Sequence, residues 1–68
     1  MNYEIKLILV QSYLIRTGMT DMADFTFTKD HKGRVIAVYH GPMSGSTFIY
    51  DIDEEDLELE VVVVETIY

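Results

Sequence analysis

ADFTFTKDHKGRVIAVYH, residues Ala23 to His40, is the stretch whose pattern decides the fold class. Its first part alternates strictly: Ala23, Phe25 and Phe27 fall on one side and Asp24, Thr26 and Thr28 on the other, the signature of a half-buried strand. Lys29 to Arg34 then gathers charged and polar residues around Gly33, between two strand-like runs. That combination predicts a hairpin turn. Val35 to His40 is the returning strand.

Toward the C-terminus the same grammar repeats. Gly41 to Ser46 is a turn or loop, because Pro42 has no amide hydrogen to give to a central ladder. Thr47 to Ile52 predicts a further strand with Phe48, Tyr50 and Ile52 on one face. Asp53 to Asp56 is too charged to bury and reads as a turn. Leu57 to Tyr68 predicts the last strand, with Leu57, Leu59, Val61 and Val63 on one side and Glu58, Glu60, Val62 and Val64 on the other. It begins half-polar and ends apolar on both faces.

Toward the N-terminus, Arg16 to Met22 reads as a loop or a single helical turn capped by Thr20. Tyr3 to Ile15 is dense in Ile, Val and Tyr and favours a strand, with Ile5, Ile8 and Leu9 also fitting a helical stripe. Strands apolar on both faces belong in the middle of a sheet or in a closed barrel. Pairing the first and last segments would supply that closure. The fold expected is therefore mainly β, a small five-stranded antiparallel curled sheet or barrel over residues 1–68 as a single domain. An α+β variant with a helix within residues 10–24 is the alternative.

Composition narrows the functional classes. With 68 residues and no cysteine, the chain has no disulfide, thiolate metal site or thiol nucleophile. A hydrophobic fraction of 49% supports a core. The apolar run Leu7 to Val10 is far short of the ~20 residues of a bilayer span, and the reading is a cytoplasmic protein without a membrane role. The net charge is −7, unevenly spread: all five Lys and Arg residues lie before position 35, and every acid from Asp51 to Glu65 lies after it. Such a field repels nucleic-acid phosphates and draws in basic partners, so direct nucleic-acid binding is not expected.

The acids Asp51, Asp53, Glu54, Glu55, Asp56, Glu58 and Glu60 form the one conspicuous cluster. A calcium loop starting at Asp51 would need glycine at its sixth position and glutamate at its twelfth, where Asp56 and Val62 stand. His31 and His40 belong at opposite ends of the first hairpin and have no third ligand beside them. Ser44 and Ser46 near His40 lack the Gly-x-Ser-x-Gly elbow of a hydrolase nucleophile. No catalytic residue, metal site or cofactor is assigned, and an enzyme is not expected. The expectation is a small acidic module for protein–protein interaction. Its sharpest version is an inhibitor that occupies a basic nucleic-acid-binding surface through the seven acids from Asp51 to Glu60. The alternative is an assembly module forming a homo-oligomer.

Overall fold

The computed structural model describes residues 1–18, 22–41, 46–55 and 58–67. The chain opens with a helix, α1 (Tyr3–Arg16), where a strand was expected; the alternative helix within residues 10–24 is also displaced, toward the N-terminus. Both ends of α1 carry their own stop signals. The Asn2 side chain accepts the Ile5 amide at 3.0 Å, and Glu4 in the first turn and Arg16 in the last oppose the helix dipole. At the C-terminal end the Thr17 hydroxyl lies 3.1 Å from the carbonyls of Tyr13 and Leu14, and Gly18 adopts φ 71° to leave the helix.

The reason a segment rich in Ile, Val and Tyr becomes helical is burial. Tyr3, Leu7, Val10, Tyr13 and Leu14 fall on one stripe and pack on the sheet, with Val10 and Leu14 fully enclosed. β-branched residues cost a helix a few tenths of a kcal/mol each. Burying one large aliphatic side chain contributes about 1.5–3 kcal/mol, which outweighs that penalty. Ile5, Ile8 and Ile15 remain exposed on the outer side of α1.

A single 3-10 turn (Met22–Asp24) leads into β1 (Phe25–Lys29), β2 (Val35–Tyr39), β3 (Thr47–Asp53) and β4 (Glu60–Ile67). These make a four-stranded sheet in the order β1-β2-β3-β4, every neighbouring pair antiparallel. With the first segment helical, β4 has no strand to close against. The sheet is open rather than a barrel, and four-stranded rather than five-stranded. The β1–β2 hairpin falls where its sequence predicted it, with Lys29 opposite Val35. The expected loop at Gly41 to Ser46 and the ends of the last segment, Leu57 and Tyr68, lie partly or wholly outside the described residues, as does Thr20.

Register sorts the side chains onto two faces. Phe25, Phe27, Val35, Ala37, Phe48, Tyr50, Ile52 and Val61 lie on the helix-covered side. Phe48, Tyr50 and Ile52 share that face as their alternation predicted. The outer face carries the pairs Thr28–Ile36, Ile36–Ile49, Thr26–Val38, Asp51–Val62 and Asp53–Glu60. An irregularity shifts the β3–β4 register: Ile49 pairs with Glu65 but Tyr50 with Val63, which leaves Val64 as the extra residue of a bulge.

Candidate contact surface at the end of the β3–β4 hairpin

The two outer hairpin turns of the sheet, β1–β2 and β3–β4, treat their carboxylates differently. In the first, Asp30 organises the turn. Its side chain accepts the amides of Lys32 at 2.9 Å and Arg34 at 2.8 Å, and the Arg34 guanidinium at 2.6 Å. Gly33, at φ 78°, donates its amide to the Asp30 carbonyl. Desolvation pushes the Asp30 carboxyl up, but the Arg34 and Lys32 donors outweigh it and hold the group at about 2.

Six of the seven acids singled out from sequence lie among the described residues, placed in two ways. Asp51 sits on β3 beyond the end of β2, and Glu54 sits in the following turn; both are drawn toward the start of α1. The Asp51 carboxylate lies 2.8 Å from the Lys6 ammonium and also accepts the Ile52 amide at 2.9 Å. Burial raises its pKa, and Lys6 and the Ile52 amide lower it further, so the net direction is down. Glu54 is 3.1 Å from the Met1 ammonium.

Asp53, Glu55, Glu58 and Glu60 are arranged differently. Asp53 ends β3 directly opposite Glu60, the first residue of β4. The Asp53 side chain accepts the Glu55 amide at 3.1 Å and so stiffens the turn. Glu55, Glu58 and Glu60 are exposed. Among the described residues neither Asp53 nor Glu60 has an ion-pair partner. Asp56 lies outside the described residues.

Sequence alternation placed Glu58 and Glu60 on one strand face, about 6–7 Å apart. Glu58 instead belongs to the turn before β4, and the residue between them, Leu59, has φ 52°. That left-handed backbone redirects the chain, so Glu58 and Glu60 do not form one strand row, and a cleft opens beside them. The cleft, about 440 Å³, is lined by Tyr13, Arg16 and Thr17 of the α1 end and by Glu58 to Val61. Simple alternation also hides Glu65. The bulge at Val64 returns it to the outer face that carries Glu60.

The other candidate chemistry is dispersed. His31 is exposed in the first turn, while the His40 ring nitrogen lies 2.8 Å from the Thr26 hydroxyl at the far end of that hairpin. Among the described residues no three His, Asp or Glu side chains converge as a metal site would require. Among the described residues no helix is long and apolar enough to cross a membrane. Comparison with protein-family models, with curated proteins and with solved structures finds no match to this chain.

Proposed function

We propose that this chain is a small acidic binding module that occupies a basic surface on a protein partner, in its sharpest form an inhibitor that takes the place of nucleic acid. The observation that carries the reading is the Asp53–Glu60 pair. Two carboxylates stand directly opposite each other across a hydrogen-bonded ladder, and among the described residues neither has an ion-pair partner, while Lys6 is held by Asp51 and Arg34 by Asp30. Like charges held opposite each other cost stability. A cation supplied from outside relieves that cost, so the geometry favours a basic partner. Glu55, exposed in the adjoining turn, extends the negative field beside the pair, and Asp51 and Glu54, already matched internally, contribute less to it.

The test is capture of partners on the immobilised chain, followed by competition. The captured protein is expected to be a nucleic-acid binder that is released by rising salt and by added nucleic acid. Glu58→Lys with Glu60→Lys should abolish capture while the circular dichroism stays unchanged. Capture that ignores salt, or that nucleic acid does not displace, overturns the reading.

Homo-oligomer assembly is the second reading, favoured by the exposed Ile5, Ile8 and Ile15 on the outer side of α1. Sedimentation at micromolar concentration decides it, and a clean monomer counts against it.

A further inference from the structure

β4 is hydrogen-bonded on one side only. It ends the sheet after β3, and among the described residues no strand lies beyond it. Over eight residues, Glu60 to Ile67, its free side therefore presents amide and carbonyl groups without ladder partners. Sheet edges are commonly blunted by shortness, by Lys or by Pro. The other edge, β1, follows that practice: it is five residues long, places Thr26 and Thr28 outward and ends in Lys29. β4 holds neither Lys nor Pro, and its protection is the bulge at Val64 and the charges of Glu60 and Glu65. Its apolar run is also uncovered, with Val63 50% and Val64 45% exposed.

The two faces of this edge differ in chemistry. Val61 and Val63 pair with Ile52 and Tyr50 and so face the helix side, yet α1 does not reach far enough to cover Val63. Beside them opens the cleft lined by Tyr13 and Leu59. On the outer face, Glu60 and Glu65 bracket the run, both brought there by the register and the bulge. A strand laid along the edge would thus meet an apolar surface on one side and carboxylates on the other.

We infer that β4 accepts an extended segment of the partner as a fifth strand, a segment alternating apolar residues with Lys or Arg. This rests on the reading of the acidic hairpin as a contact surface and adds how the partner is held. Backbone pairing supplies the affinity. The apolar residues cover Val61, Val63 and the cleft, and the cations fall beside Glu60 and Glu65. Charge decides against a second copy as occupant. An antiparallel β4 from another chain would bring a second Glu60 and Glu65 to the same outer face, with no Lys or Arg on that strand to match them.

The probe is a capped Lys–Val alternating peptide of about eight residues, titrated against the intact chain by calorimetry. Two further versions carry N-methyl groups on one or the other set of alternate amides. In a strand only one set faces the edge. One version is therefore expected to bind about tenfold or more weakly, through the loss of two or more backbone hydrogen bonds, while the other binds like the parent. Val64→Lys should also weaken the parent peptide about tenfold without altering the circular dichroism. Equal binding of all three peptides, or equal loss in both methylated versions, overturns strand addition. In that case salt-sensitive binding lost in Glu60→Lys leaves the acidic-surface reading standing. Failure of the parent peptide to bind at low salt also overturns strand addition, and the capture experiment then judges the acidic surface separately. Self-association of the chain that Val64→Lys abolishes identifies a second copy as the occupant and overturns the proposal.

Discussion

The two outer hairpins of this sheet are built from similar materials and put them to opposite uses. In β1–β2, one carboxylate gathers three donors from its own turn, and the strands bury Phe25, Val35 and Ala37. In β3–β4, Asp53 and Glu60 face each other with no ion-pair partner among the described residues, and β4 has no fully buried residue. The first hairpin is closed on itself, its polar groups satisfied by the chain. The second leaves both charge and backbone unsatisfied at one end of the molecule. What separates them is the partner each acid finds, rather than the number of acids.

Truncation should expose the contrast most strongly. Phe25→Ala is expected to cost about 3–5 kcal/mol, enough to unfold much of so small a domain. Val64→Ala should stay within about 0.5 kcal/mol, as exposed substitutions do. Urea denaturation measures both, and comparable losses would erase the distinction.

Acid unfolding comes next. Asp30 is held at about 2 against an ordinary value of 3.8. Because the folded value is depressed, the stability it supplies is complete above the ordinary value and drains away as pH falls toward about 2. Asp30→Asn should lower stability at neutral pH and flatten that acid limb, leaving the smaller part that Asp51 supplies through Lys6.

Backbone strain gives a pair of smaller effects with opposite signs. Gly33→Ala forces a side chain into φ 78° and should cost about 1 kcal/mol. Leu59→Gly relieves φ 52° and should gain about 0.5–1 kcal/mol. Smallest is Asp53→Asn, which removes the repulsion with Glu60 and should raise stability by a few tenths of a kcal/mol. A loss there would mean that the Asp53 bond to the Glu55 amide matters more than the repulsion.

The legible parts of the fold were those where a local pattern has one meaning. Thr26 and Thr28 alternating with Phe25 and Phe27, followed by a charged turn with Gly33, admit little but a hairpin, and the structure has one there. Tyr3 to Ile15 was not legible by apolar content, because residues apolar all round satisfy a strand and a helix alike. The deciding signals were at its ends: Asn2 as a cap, Glu4 and Arg16 placed with the dipole, and Gly18 as a terminator. Once that segment is helical, the expected barrel loses the strand that would have closed it.

At the acidic end, sequence showed which residues crowd together but not how they divide. The pairing of Asp51 with Lys6 spans most of the chain, and no local spacing announces it. Nor does alternation foresee the left-handed Leu59, which takes Glu58 off the strand, or the bulge that turns Glu65 outward. Both are departures from strand periodicity, which an alternating pattern of residues does not encode.

The order of strands in space repeats their order along the chain, and this has a kinetic consequence. Each strand pairs with its immediate successor, so the sheet can grow by successive short closures and never waits for distant segments to meet. Topologies of that sort sit toward the fast side of folding rates. Growth starting from the Asp30 turn would reach β4 last. Amide exchange is accordingly expected to be fastest in Glu60–Ile67, the strand with the least to lose by opening and the first to come free for another chain.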